Sequence, residues 1–181
     1  MKSTLRVLLL CVSPFFAMQA WAATLPDACG NDEVRFNVTK QKGQPLPAGP
    51  EAGKAQIVFV ESVERYDRGD CIGCDAVTRV GVDGSWVGAN KGKSYFAYAV
   101  EPGEHHLCVD WQSVSGKFRQ KVGLDDFTAD PGNVYYYKIN VTIDMNLNPD
   151  TGFTIDLEPL NADEGKYLVK LAELATSKPK K

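Results

Sequence analysis

The sequence predicts a mostly β protein, an antiparallel β-sandwich of about eight strands with one C-terminal helix. Three observations support this fold class. Apolar residues alternate with a period of two in several short segments, which is typical of strands that bury one face. Turn signals containing Gly and Pro separate these segments at the short intervals expected of a sandwich or barrel. Helical spacing occurs after the signal-like N-terminus only within residues 161–181.

The N-terminus has the pattern of a signal peptide over residues 1–22. Lys2 and Arg6 form a basic start, an apolar run follows at 8–16, and Ala20-Trp21-Ala22 fits an A-x-A cleavage site. The apolar run is shorter than the roughly 20 residues that a transmembrane helix needs. We therefore predict export to the periplasm, the cell surface or the medium, with no transmembrane segment.

Composition limits the partners of the mature chain. Cleavage after Ala22 would leave 159 of the 181 residues, enough for one domain with a substantial core. Because the removed segment carries two basic residues and no acid, the formal net charge of −3 would become −5. Phosphate backbones require clustered Lys and Arg, so this mildly acidic chain is not expected to bind nucleic acid.

Residues 23–54 are predicted to hold an N-terminal strand and a connection. Val34 to Val38 has the composition of a strand, whereas residues 42–53 are rich in Gly and Pro. Such a stretch cannot hold regular structure, so we expect it to cross the surface.

Residues 55–160 are predicted to form the sandwich core. Ala55 to Val63 is apolar on both faces over its first half, as a central strand requires. Two turn signals, Asp83-Gly84 and Pro102-Gly103, mark hairpins because Gly accepts a positive φ and Pro fixes its own. The segment 118–127 is less regular. Further strands are predicted at 78–82, from 86 onward, and at 94–100, 105–114, 134–143 and 153–157, the last two joined by a turn at 148–152.

Residues 161–181 are predicted to form a helix and a disordered basic tip. Asn161 and Glu164 resemble a capping box. The helix is expected to lie on the sandwich, and Pro179 with the neighbouring lysines would end it. Leucines recur at helical spacing within it: Leu168, Leu171 and Leu174.

Four cysteines follow residue 22: Cys29, Cys71, Cys74 and Cys108. An even number in an oxidising compartment predicts two disulfides. The favoured pattern joins Cys71 to Cys74 and Cys29 to Cys108, although a crossed pairing fits the sequence nearly as well. The C-x-x-C spacing could also form a redox dithiol, but the βαβ context of such motifs is not predicted here.

An alternative function uses the same cysteines. His106 and Cys108 share a strand face, and with Cys71 and Cys74 they could form a tetrahedral zinc site or a thiol-disulfide centre. Oxidation of the thiols in an exported protein opposes zinc binding. Strand alternation sends His105 and His106 to opposite faces, and no nucleophile elbow is present. We therefore expect a protein that is not an enzyme and uses no cofactor.

Aromatic residues give the best indication of a binding surface. Successive aromatics around Tyr95 and Tyr135 must point to both faces of their strands. If the terminal helix covers the second face, these side chains belong to the core. An open face would instead form a platform for a glycan, a lipid headgroup or a partner protein. The candidate ligand-binding residues are Tyr95, Tyr98, Tyr135 and Tyr137.

One region resembles a known family. Residues 80–88 are V-G-V-D-G-S-W-V-G, residues 92–100 are G-K-S-Y-F-A-Y-A-V, and residues 101–109 are E-P-G-E-H-H-L-C-V. This pattern resembles exported bacterial domains of unknown function with a V-D-G hairpin and a P-G-x-H turn, and more distantly PEGA-type β-sandwich domains. The resemblance covers residues 55–145. It implies a cell-envelope setting and carries over no catalytic residue.

These observations together predict a non-catalytic exported module of the cell envelope with a binding or structural role. The partner would be an envelope protein or a surface polymer. The ligand itself is not specified by any motif in the sequence.

Overall fold

The computed structural model describes residues 26–45, 47–62, 76–112, 122–143 and 153–180. Within them the chain is mostly β, with ten strands and one helix. The strands are β1 (Phe36–Gln41), β2 (Ala55–Ser62), β3 (Val77–Val82), β4 (Ser85–Lys91), β5 (Ser94–Val100), β6 (Gly103–Trp111), β7 (Val122–Ala129), β8 (Val134–Ile143), β9 (Phe153–Leu160) and β10 (Glu173–Pro179), and α1 is Ala162–Leu171.

The strands form two sheets. A six-stranded sheet has the order β1-β10-β5-β2-β8-β9, and a four-stranded sheet has the order β4-β3-β6-β7. The ladders between β2 and β8 and between β5 and β10 are parallel, and the others are antiparallel. The prediction of a wholly antiparallel fold was therefore wrong, because alternation identifies strands but does not choose their partners.

Both sheets contribute to one apolar core. Ile57 and Phe59 of β2 lie in the same cluster as Val80 of β3 and Leu107 of β6. The alternate residues of β2, Val58 and Val60, lie in a second cluster with residues of α1. Burial on both faces confirms the prediction that this strand is central, since it lies between β5 and β8.

The Asp83-Gly84 turn is confirmed as the hairpin between β3 and β4. Asp83 has φ 50° and Gly84 has φ 79°. Positive φ at both positions is the requirement of the two-residue hairpin turn that Asp-Gly sequences favour. Asp83 is the one non-glycine residue with a positive φ among the described residues.

Two segments differ from the prediction and bring the described strands to ten rather than about eight. The segment expected to be irregular contains β7, which pairs along its length with β6. The C-terminal tail is β10 and not a disordered tip, and it pairs with β1 from Phe36↔Pro179 to Gln41↔Leu174. The helix ends before Leu174, because the main chain of residues 174–179 gains strand partners that local spacing cannot reveal.

The helix itself begins as predicted. The Asn161 side chain accepts hydrogen bonds from the backbone N–H groups of Asp163 and Glu164, which confirms the N-cap. Val169 of α1 packs with Tyr136 of β8 in the second apolar cluster. The helix therefore covers the face of the six-stranded sheet that points away from the shared core.

Several predictions fall outside the described residues. They are the signal peptide, the pair Cys71 and Cys74, and the turn at 148–152. Among the described residues, no helix is both long and apolar enough to cross a membrane.

Candidate functional site

A disulfide fastens the segment before β1 to the four-stranded sheet. Cys29 is bonded to Cys108, with 5.1 Å between their Cα atoms, and both residues are buried. This is one of the two pairs favoured from the sequence. Because Cys108 is bonded to Cys29, the proposed zinc set of Cys71, Cys74, His106 and Cys108 lacks one of its thiolates.

Arg79 holds the same segment through a buried network. Its guanidinium donates to the carbonyl oxygens of Asp32 at 3.1 Å and Val34 at 2.6 Å, and it pairs with the buried carboxylate of Asp110. The guanidinium carbon lies 4.2 Å from the centre of the Trp86 ring, a cation–π contact. These charges are used within the fold, so the cluster is structural.

The two histidines hold different aspartates. His105 is nearly buried, and its Nδ1 lies 2.7 Å from Oδ2 of Asp83 while its Nε2 lies 2.7 Å from the carbonyl oxygen of Glu101. The His106 side chain is exposed, with Nδ1 2.8 Å from Oδ1 of Asp126. This confirms the prediction that the neighbouring histidines point to opposite faces of the strand.

Both histidines are biased toward the charged form. Burial opposes this for His105, but the Glu101 carbonyl and the Asp83 carboxylate outweigh burial and raise its pKa above the ordinary value. The Asp126 carboxylate raises the pKa of His106.

A buried carboxyl group, missed from the sequence, closes one end of the shared core. Glu61 is 1% exposed, and its Oε2 accepts a hydrogen bond from the Thr78 hydroxyl at 2.6 Å. Asn90 and Ser94, which are fully buried, hydrogen-bond to each other at 3.2 Å. Burial raises the pKa of Glu61 to about 8, although bonds from Thr78 and the Gly92 backbone partly oppose it. Its position in a strand predicted to be central was the available signal.

The four candidate tyrosines do not share a surface. Tyr95 lies in the cluster beneath α1, whereas Tyr98, Tyr135 and Tyr137 lie on the shared-core face. Tyr95 and Tyr137 are buried, and Tyr98 and Tyr135 are half-buried. Phe127 contacts both Tyr135 and Tyr137, with ring centres 5.0 Å and 5.8 Å away. Of the two outcomes considered from the sequence, the described residues show a second face that is covered by the helix, with Tyr95 buried beneath it.

Tyr95 nevertheless borders an apolar cleft. The cleft has a volume of about 350 Å³. It lies between strands β5 and β10 on one side and residues 44, 45, 47 and 48, the proline-rich stretch after β1, on the other. The Tyr95 hydroxyl donates a hydrogen bond of 3.0 Å to the carbonyl oxygen of Pro45 at its border. Burial raises the pKa of Tyr95. The lining residues are Gln44, Pro45, Pro47, Ala48, Tyr95, Phe96, Ala97, Leu174 and Ala175.

The cleft lies where the six-stranded sheet opens. The β5–β10 ladder has only two residue pairs, Ser94↔Glu173 and Tyr95↔Leu174, whereas β10 stays paired with β1 from Leu174 to Pro179. Within the described parts of the chain, no strand continues the ladder along that edge of β5, and residues 97–99 are partly exposed. Prolines on the opposite wall have no N–H to donate, so they cannot replace a ladder partner.

Metal ligands do not converge in the described ranges, where no three His, Cys, Asp or Glu side chains are placed to hold an ion.

No family model matches this chain, and neither the curated proteins nor the solved structures include a match to it.

Proposed function

We propose that this protein is a non-catalytic binding module of the cell envelope that holds a partner polypeptide at the cleft between β5, β10 and the proline-rich stretch. The proposal includes export after removal of residues 1–22 and a β-sandwich formed by the two sheets. Three features support these parts: the signal-like N-terminus, the Cys29–Cys108 disulfide and the apolar core to which both sheets contribute.

The lining of the cleft carries the proposal. Its residues are apolar except for Gln44 and Tyr95, and the Tyr95 hydroxyl is bonded to Pro45. Such a surface offers no acid, base or nucleophile that is free to react. Apolar lining with few polar groups is instead typical of sites that bind by burying apolar area.

The open edge of β5 favours a polypeptide over a sugar polymer. An extended segment could place main-chain groups along the edge beyond Tyr95 and an apolar side chain in the cleft, as in strand addition. A surface polymer has no regular series of N–H and C=O groups to match a strand edge. Polymer binding is therefore the alternative outcome of the test.

Filling the cleft tests the proposal. The mature protein carrying Ala97→Trp is compared with the unchanged protein for retention of envelope proteins and of purified surface polymer. A matched control, Thr128→Trp, places the same side chain at an exposed position on β7. We expect one polypeptide to be retained by the unchanged protein and the control, and its affinity to fall at least about tenfold with Ala97→Trp. Equal binding by all three proteins, or retention of polymer alone, would contradict the proposal.

The alternative, a thiol-disulfide or zinc protein, would have to use Cys71 and Cys74 without Cys108. Intact mass under non-reducing conditions separates the two functions. Two disulfides agree with the binding module, whereas two free thiols with bound zinc would favour the alternative.

A further inference from the structure

We propose that His105 is a pH-sensitive latch between two turns, the β3–β4 turn at Asp83-Gly84 and the β5–β6 turn at Glu101-Pro102. The latch loses its hold on the β5–β6 turn when the imidazole loses a proton. The inference is independent of the proposed binding function. It rests on the two hydrogen bonds of one nearly buried side chain.

The partners of His105 are both acceptors. The Asp83 carboxylate and the Glu101 carbonyl oxygen each lie 2.7 Å from a ring nitrogen. Neither group carries a proton to donate when Asp83 is ionised. Both bonds can therefore form only when both ring nitrogens carry hydrogen, which is the imidazolium form.

Loss of one proton breaks the bond to Glu101 and keeps the bond to Asp83. The charged carboxylate is the stronger acceptor, so the remaining hydrogen stays on Nδ1. The bare Nε2 then faces the Glu101 carbonyl, and two lone pairs at 2.7 Å repel each other. Either the ring or the turn at Glu101 has to move away.

The Asp83 side of the latch has further support. Oδ1 of Asp83 accepts the backbone N–H of His106 at 2.9 Å, and the Asp83 N–H donates to the His106 carbonyl at 2.9 Å. These bonds do not require a charged histidine. The β3–β4 turn is thus expected to stay in place when the β5–β6 turn is released.

Other charged groups near His105 define its surroundings. His106 and its partner Asp126 lie on the opposite face of the strands, and Glu104 is exposed beside them. The Glu101 carboxylate is paired with Lys54, with 3.4 Å between Oε1 and Nζ, so a positive charge also lies beside the β5–β6 turn. The Phe127 ring, with its centre 5.6 Å from that of His105, packs against the imidazole from β7.

Nuclear magnetic resonance of the unchanged protein tests the latch directly. Nitrogen shifts of the His105 ring should change from imidazolium to the Nδ1–H tautomer at a pH above 6.5, the ordinary value. Over the same pH range, amide-exchange protection at Gly103 should fall by about tenfold after correction for intrinsic exchange. Titration of His105 at or below 6.5, an Nε2–H tautomer, or unchanged protection would each overturn the proposal.

Three variants isolate the latch. Asp83→Asn keeps a residue that tolerates positive φ and removes the charge, so the His105 transition should move to lower pH. His105→Gln should abolish the step in protection, and His106→Gln, the matched control on the adjacent exposed residue, should retain it. Persistence of the step in His105→Gln would assign it to another group and reject the latch.

Discussion

Glu61 and Arg79 are both buried, but neighbouring groups compensate the charge of Arg79 and not that of an ionised Glu61. Arg79 has the Asp110 carboxylate, two backbone carbonyls and the Trp86 ring around it, so its positive charge is compensated. Burial raises the pKa of Glu61, and among the described residues only the Thr78 hydroxyl, the Gly92 backbone and, most weakly, the Lys40 charge lower it. Desolvation therefore dominates, and the neutral acid is the favoured form of Glu61.

Replacing Glu61 with Gln should remove a pH dependence of folding. The folded pKa of Glu61 is about 8, against an ordinary value of 4.5. Between these values the unfolded chain releases the proton that the folded chain keeps, so stability present below pH 4.5 is lost as pH rises toward 8. The slope is roughly 1.4 kcal/mol per pH unit at most. In urea unfolding at pH 5 and pH 8, Glu61→Gln should gain stability relative to the unchanged protein at the higher pH.

The comparison between the two proteins cancels the contribution of His105, whose raised pKa also makes stability decline with pH. Parallel stability curves for Glu61→Gln and the unchanged protein would show that Glu61 is already ionised at neutral pH.

Arg79→Met should destabilise the fold severely. The substitution keeps much of the apolar stem but leaves the buried Asp110 carboxylate without its cation, whereas the Asp32 and Val34 carbonyl oxygens keep the Arg35 guanidinium as a donor. Removing one partner of a buried ion pair costs about 3–5 kcal/mol. Urea unfolding at pH 7 measures the loss. Arg35→Met, on a more exposed arginine, should cost less than about 1 kcal/mol. Similar effects of the two substitutions would mean that the buried network contributes little.

At the scale of an element, Gly165 decides how closely α1 packs on the sheet. A Cβ atom at this position would overlap the Tyr136 ring. Alanine favours an isolated helix over glycine by about 1 kcal/mol, so propensity alone predicts stabilisation by Gly165→Ala. Overpacking costs about 1–3 kcal/mol, and we expect net destabilisation.

Thermal unfolding compares Gly165→Ala with Lys166→Ala, which changes the next, exposed residue of the same helix. The control should change stability by less than about 0.5 kcal/mol. A Gly165→Ala protein that unfolds at the same or a higher temperature would show that α1 can move away from Tyr136 without cost.

Strands with strong local signals could be predicted from the sequence. The bounds of β5 and β8 agree with the predicted segments, and the Asp83-Gly84 turn follows from the conformations that these two residues accept. Pairing depends on contacts between distant residues, so the parallel ladders and β10 could not be predicted in this way. The second apolar cluster includes Leu168 of α1 and Leu174 of β10, so leucines at helical spacing pack there although the helix ends at Leu171.

The candidate site was only partly accessible from the sequence. Tyr95 was selected as an aromatic residue, and it does border the cleft. The cleft itself depends on the point at which β10 leaves β5, which no local pattern specifies. The acceptors around His105 likewise come together only after three strands have paired, because Asp83 and Glu101 lie in different turns.

At the scale of the whole molecule, the chain before β1 is fastened across the four-stranded sheet. The Trp86 indole N–H donates to the carbonyl oxygen of Asn31 at 2.8 Å, and the Gly84 N–H donates to that of Ala28 at 3.2 Å. Lys180, which follows β10, donates its N–H to the Arg35 carbonyl at 2.7 Å. The C-terminal end of the described chain is thus hydrogen-bonded to the segment before β1, and that segment is itself bonded to the four-stranded sheet.

The Cys29–Cys108 disulfide should supply a large share of the total stability. The two cysteines are 79 residues apart, and closing a loop of this length restricts the unfolded chain by about 4.5 kcal/mol. We expect the variant with both Cys29→Ala and Cys108→Ala to lose roughly this amount in urea unfolding under non-reducing conditions.

Because the hydrogen bonds to Asn31 and Ala28 remain, Trp86 fluorescence should still report the native environment in the absence of urea. A loss below about 1 kcal/mol would mean that these contacts hold the segment without the covalent bond. Altered Trp86 fluorescence before unfolding would instead show that the disulfide is needed to place the segment on the sheet.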